Sequence, residues 1–190
     1  FTYGGKTELE YQIVYPQISG TKMAKNINKW YERLVSKQIS AMKGLRFDGT
    51  TAVITASGKG SCRPLEINFA YNVMYSQNGF LSIIFDRYEW LGCLGGGSYR
   101  MSQTWILNSG RIVPIGAFFK QDTPWLKTIY SAITEMILDE KAERTGTYYS
   151  NAPQNIRSLL AAYDYYLADD GFVVYFQQEK IAPKNAGIPS

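Results

Sequence analysis

YYLADDGFVVYFQQEKIAPKNAGIPS, residues 165–190, closes the chain and carries the reading that decides its fold. Asp169-Asp170-Gly171 is a turn signal, because Asp bonds its own backbone and Gly accepts conformations that a Cβ forbids. The run that follows, Phe172-Val-Val-Tyr-Phe176, is β-branched and aromatic, as a buried strand requires. Glu179 to Gly187 then leaves the strand through Pro183, which cannot donate to a ladder, and Gly187, which shapes a loop. The chain therefore ends in a hairpin with an irregular exit.

The rest of the sequence supplies partners for that hairpin. Leu9, Tyr11, Ile13 and Tyr15 alternate, predicting a first strand ended by Pro16. Met23, Ile27, Trp30, Tyr31, Leu34, Val35 and Ile39 recur every three or four residues, the apolar stripe of a helix from Lys22 to Lys43 stopped at Gly44. Ala52 to Thr55 is a short strand candidate. Leu65 to Tyr75 and Leu81 to Phe85 alternate on either side of Asn78-Gly79, a strong hairpin turn. Tyr99, Met101, Trp105 and Leu107 mark another strand, which Asn108-Ser-Gly110 turns into Arg111 to Ile115. Thr123-Pro124 opens a second long helix with a buried face of Trp125, Ile129, Ile133, Met136 and Ile137, stopped at Gly146. Asn151-Ala-Pro153 begins a shorter helix through Leu160. The expected class is α+β: a largely antiparallel sheet with two long helices and one short helix on one face.

Composition narrows the chemistry. With 190 residues, 45% apolar and 19% charged, the chain suits one compact unit or two small modules. It contains no histidine, which removes Ser-His-Asp and Cys-His nucleophile pairs and the commonest zinc ligand. Acid–base chemistry would rest on carboxylate pairs, Asp169 with Asp170 or Asp86 with Glu89, but adjacent Asp residues in a turn are ordinarily turn formers. No cofactor is expected. Lys22, Lys25, Lys29, Arg33 and Lys37 recur at helical spacing, as a basic binding face or a solvated helix face does. A net charge of +4 is too small and too scattered to indicate nucleic acid, though it suits approach to an anionic wall or membrane surface. The 15 tyrosines suit half-exposed sheet faces and contact surfaces alike. No stretch is long and apolar enough to span a membrane. A start at Phe1 rather than Met is expected of a processed or truncated form.

Several of these segments together resemble one bacterial extracytoplasmic family, which includes the sensor domain of RsiV-type anti-sigma factors and the accessory domain of PdaC-type peptidoglycan deacetylases. Tyr15-Pro-Gln-Ile-Ser-Gly20 leading into Ile27-Asn28 resembles the start of its amino-terminal module, and Phe69-Ala-Tyr-Asn-Val73 with Leu81-Ser82 its hairpin. Thr104-Trp-Ile-Leu-Asn-Ser-Gly110 followed by Pro114-Ile-Gly-Ala-Phe-Phe119 resembles the approach to the carboxy-terminal module's long helix. Asp170-Gly171 through Ile181-Ala-Pro183 to Gly187 is similar to its close. The resemblance implies a PdaC-like module over 1–92 and an RsiV-like module over 93–190. Gly95-Gly96-Gly97 stands where the family often has Gly-Gly-Ala-His, yet Ser98 and Tyr99 follow here. Glu179 and Lys184 stand where aromatics commonly flank Ile-Ala-Pro, which argues against copying the family's ligand onto this chain.

The resemblance implies a non-catalytic, secreted or membrane-anchored domain that recognises a wall-associated partner, either a lysozyme-like protein or peptidoglycan glycan. The candidate surface is Gly95, Gly96, Gly97, Ser98 and Tyr99 with Glu179, Ile181, Pro183 and Lys184. A glycan-acting enzyme using acidic residues and a basic-surface binding module are the alternatives. An extracytoplasmic location also bears on Cys62 and Cys93, which flank the two arms of the Asn78-Gly79 hairpin almost symmetrically. A disulfide between them is reachable if the hairpin extends that far, with two separate buried thiols as the other reading.

Overall fold

The computed structural model of the chain describes residues 2–3, 6–7, 9–45, 65–91, 95–143 and 147–190. Cys62, Cys93, the Ala52–Thr55 strand candidate and the Gly146 helix stop lie outside these. The described elements are β1 (Thr2–Tyr3), β2 (Lys6–Thr7), β3 (Leu9–Ile13), α1 (Ala24–Leu45), β4 (Leu65–Gln77), β5 (Phe80–Trp90), β6 (Gly96–Ile106), β7 (Arg111–Ile112), α2 (Trp125–Glu143), α3 (Ala152–Leu159), β8 (Tyr165–Ala168) and β9 (Gly171–Val174). Strands β3 to β7 form one mixed, mostly antiparallel sheet in sequential order, while β1–β2 and β8–β9 are separate two-stranded ribbons. The class is α+β, as the hydrophobic patterns predict. One pairing departs from the antiparallel rule: β3 runs parallel to β4, with Leu9 opposite Leu65 and Ile13 opposite Phe69.

The chain divides into two compact units whose segments alternate in sequence. The first comprises Phe1–Tyr71, Phe85–Gly97 and Leu107–Gly110, the second Asn72–Ile84, Ser98–Ile106 and Arg111–Ser190. In the first unit, α1 buries Ile27, Tyr31 and Val35 of the stripe read from the sequence and also buries Met42, while Met23, Trp30, Leu34 and Ile39 are half-buried. Tyr31 packs on Phe85, which stacks on Phe69 at 5.0 Å between centroids, and Met42 joins Leu9, Leu65 and Ile67. Burying each such side chain contributes roughly 1.5–3 kcal/mol. The Ile27-Asn28 pair has a physical role: Ile27 is fully buried, while Asn28 both donates to and accepts from the Ile18 peptide. That clamp fixes the turn between β3 and α1. The helix does not stop at Gly44 but continues through it to Leu45.

In the second unit, Asn78 and Gly79 take positive φ of 53° and 78°, the geometry that a two-residue hairpin turn demands. Simple alternation fails on β5. Leu81, Ser82, Ile83 and Ile84 are all buried, so this stretch is covered on both faces. Ser82 tolerates burial because its hydroxyl shares a 2.8 Å bond with Thr104 and accepts one from the Leu167 amide at 3.0 Å. Asn108 to Gly110 turn β6 into β7, and Leu107 belongs to that turn rather than to the strand. Beyond β7, a 3-10 turn (Ile115–Phe118) leads to α2, with Pro124 immediately before the helix. On α2, Ile129 and Ile137 are buried as expected, but Met136 is 68% exposed. Seven residues after Ile129, Met136 lies on the same face of the helix, so its exposure reflects how far neighbours cover that face and not its angle on the axis. The closing hairpin is present, although the strand read as Phe172–Phe176 pairs with β8 only through Val174.

Candidate functional site

The exit from the closing hairpin is held in place by two glutamines. Gln177 accepts from the Arg100 amide at 3.0 Å and donates to the Arg100 carbonyl at 2.7 Å, so its side-chain amide pairs with β6 as a neighbouring strand's peptide would. Gln178 accepts from the Ser98 amide at 2.9 Å and donates to the Lys184 carbonyl at 2.9 Å. These bonds are possible because the short β7 pairs with β6 only at Trp105 and Ile106 and leaves the peptides of Ser98 and Arg100 accessible. The sequence offers a weak signal for them: a Gln pair directly after a strand carries the same donor and acceptor set as the peptide group.

The loop that follows is equally constrained. Ile181 is 1% exposed and packs with Ile137, Ile156 and Phe176, while its carbonyl accepts from the Tyr149 amide. Asn155 donates to the Lys180 carbonyl, and Lys184–Ala186 form one 3-10 turn ended by Gly187 at φ 71°. Glu179 is an exposed non-glycine residue at φ 63°, a conformation that costs about 1 kcal/mol and persists only where the surroundings fix it.

This frame sorts the candidate residues. Ser98, Tyr99, Glu179, Pro183 and Lys184 lie in the second unit and are carried by the Gln178 bridge, with Tyr99 49% exposed and Glu179 and Lys184 exposed. Ile181 anchors the loop from inside rather than facing a partner. Gly95, Gly96 and Gly97 belong to the first unit, where they begin the return strand after β5. A Cβ on Gly96 would sit 2.7 Å from the Glu89 carbonyl oxygen, so this glycine permits close strand approach.

The carboxylate pairs do not converge. Asp169 and Asp170 are exposed in the β8–β9 turn, where Asp169 accepts from Gln77. Asp86 and Glu89 are three apart on β5 and so point to opposite faces, and Glu89 is paired with Arg87 at 2.7 Å. Lys22, Lys25, Lys29, Arg33 and Lys37 are all exposed.

Buried hydroxyls complete the frame behind the loop. Ser102 donates to the Tyr163 carbonyl and bonds the Tyr175 hydroxyl at 3.0 Å, and Tyr165 donates to the Val113 carbonyl at 2.7 Å. Burial pushes the Tyr165 phenol up to about 12 and the Tyr175 phenol further still. Burial also raises the Asp164 carboxyl, against the lowering effect of the bond from Tyr175. Each of these groups favours its neutral form because water is excluded from it.

Comparison with known proteins matches two separate stretches of the chain. Residues 4–93 match the family model described as Deacetylase PdaC, and residues 117–190 match the model of a protein family of unknown function, DUF3298. The amino-terminal part of the chain is thus similar to the PdaC family and the carboxy-terminal part to the DUF3298 family. Among solved structures, a DUF3298 family member from Bacteroides fragilis shares the fold at 16% identity with a TM-score of 0.51, covering 89% of this chain and 65% of that one. A DUF3298 family protein from Pseudomonas aeruginosa matches at 14% identity and a TM-score of 0.51, over 68% of this chain and 58% of its own length. The chain therefore spans less than two thirds of each of these relatives. No curated protein matches it.

Proposed function

We propose that the chain is a non-catalytic, extracytoplasmic binding or sensing domain of a bacterial envelope protein, whose partner is wall-associated: a lysozyme-like protein or peptidoglycan glycan. The observation that carries this reading is the closing loop, built as a pre-ordered contact surface. Two glutamine amides and the buried Ile181 hold a strained, exposed segment in one conformation beside Tyr99. A loop ordered before binding loses little entropy on association, and an exposed Tyr next to an acid and a base supplies apolar area with polar specificity. The lack of any histidine and the outward placement of Asp169 and Asp170 favour binding over catalysis, even though the amino-terminal family takes its name from a deacetylase.

The test is a pull-down of the purified protein with lysozyme and, separately, with peptidoglycan fragments. Retention by one of them, weakened about tenfold or more by Tyr99→Ala combined with Lys184→Glu, is the expected result, in line with the loss of one aromatic anchor and one charge. Failure to bind either removes the proposal.

A further inference from the structure

The β8–β9 hairpin has one edge that is only partly used. Its two central residues are Asp169 and Asp170, so Ala168 and Gly171 form the closing pair that exchanges both hydrogen bonds. Antiparallel pairing then alternates: Tyr166 and Val173 exchange bonds, whereas the peptides of Leu167, Phe172 and Val174 point outward. Three bonds agree with this phase. The Leu167 amide points away from β9 to Ser82, the Tyr175 amide points inward to the Asp164 carbonyl, and the Phe176 amide points outward to the Pro189 carbonyl. Phe172, Val174 and Phe176 thus share one edge. Pro189 occupies it at Phe176, and among the described residues nothing meets the outward peptides of Phe172 and Val174.

Beside this edge lies a cavity of about 420 Å³ between β9 and α2, lined among others by Ile133, Met136, Glu140, Phe172 and Val174. Its lining is mostly apolar, with Ser190 and Glu140 as polar members, and the Glu140 carboxylate accepts from Tyr148 at 2.9 Å. Glu140 is the one charged side chain in that lining. Met136, exposed on α2, and Phe172, 40% exposed, form its lips.

We propose that this edge and groove take an extended peptide segment of a partner protein, added as a third strand beside β9. Two apolar residues at alternate positions would enter the groove, and a Lys or Arg two positions further would face Glu140. Three independent features select this occupant. The outward peptides at Phe172 and Val174 need backbone donors and acceptors, which an apolar small molecule lacks. Alternate side chains of an added strand fall on the face that α2 covers. The Glu140 carboxylate in the lining complements a single positive charge. The site uses neither Tyr99 nor Lys184, so its outcome and that of the closing-loop surface are read separately.

A suitable probe is an acetylated, amidated heptapeptide of threonines with valine at its second and fourth positions and lysine at its sixth, fluorescently labelled and titrated by anisotropy. Saturable binding is expected. N-methylation of the backbone amides facing β9 weakens it about tenfold or more, the loss of two hydrogen bonds. Met136→Glu, at an exposed position that the fold does not need, weakens it similarly without shifting the melting temperature. Glu140→Gln weakens the lysine peptide but leaves a norleucine analogue unchanged. The proposal is overturned by no binding at millimolar peptide, by equal binding of the N-methylated peptide, by indifference to Met136→Glu, or by a dimer of this chain that Met136→Glu dissolves.

Discussion

Ser82 is a polar residue in a stretch of sequence that otherwise reads as buried strand, and its hydroxyl serves two partners at once. Replacing it with Ala strands the Leu167 amide and removes the Thr104 partner, both in a water-free setting. Ser82→Ala is expected to destabilise the protein by about 1–3 kcal/mol, the cost of an unsatisfied buried donor, read as a lower urea midpoint at constant slope. Gly96 makes a sterically sharper case. Its missing Cβ leaves room for a backbone carbonyl, which cannot swing away as a side chain can. Gly96→Ala is expected to cost about 1–3 kcal/mol, and an unchanged thermal midpoint would show that the strands can part. Neither role was legible beforehand. Alternation with Leu81 and Ile83 assigns Ser82 to the exposed face, and the glycine run reads only as part of a candidate contact surface.

At the scale of elements, the periodic patterns located the strands and helices, while their ends and faces depended on tertiary neighbours. Helix α1 passes through Gly44, where the local penalty of glycine, about 1 kcal/mol, is outweighed by burial of Met42. Met136 belongs to the apolar face of α2 by its spacing from Ile129 and is nonetheless exposed, because spacing assigns a residue to a face but not the neighbour that would cover it. The closing-loop residues were picked out by resemblance, but what orders them, Gln177 and Gln178, has no periodic signature. Gln177→Ala is expected to release the Arg100 peptide, raising hydrogen–deuterium exchange across Ser98 to Arg100 while leaving β4 protected. Equal exchange in the variant would mean that Gln178 and the buried Ile181 order this segment without Gln177.

Across the whole molecule, the tyrosines set the response to alkali. Tyr165 keeps its proton up to about 12 in the folded state, against about 10 in the unfolded chain. The folded state therefore binds more protons between these values. The stability contributed by the neutral phenol is complete below pH 10 and is lost as pH rises through 12. Burial moves Tyr175 in the same direction. Stability is thus expected to fall steeply above pH 10, and Tyr165→Phe should reduce that slope by up to about 1.4 kcal/mol per pH unit, at the cost of a lower baseline because the Val113 carbonyl loses its donor. Denaturation midpoints measured from pH 8 to 11.5 check both. The α+β class and the order of elements were legible from hydrophobic period and turn chemistry. The interleaving of the two units was not, because long strands such as β4 read as single elements and carry no mark of where one core gives way to the next.

The parallel pairing of β3 with β4 has a consequence in time. A hairpin such as β4–β5 closes locally, whereas Leu9 must wait for Leu65, with all of α1 threaded between them. Non-local parallel contacts are slow to form because chain entropy is spent before any contact rewards it. During synthesis, the first strand of the sheet is therefore made early but docks after its partner has emerged, and until then its apolar residues stay uncovered. In refolding experiments, Leu9→Ala should speed unfolding while leaving the folding rate nearly unchanged, the signature of an edge that joins after the rate-limiting step.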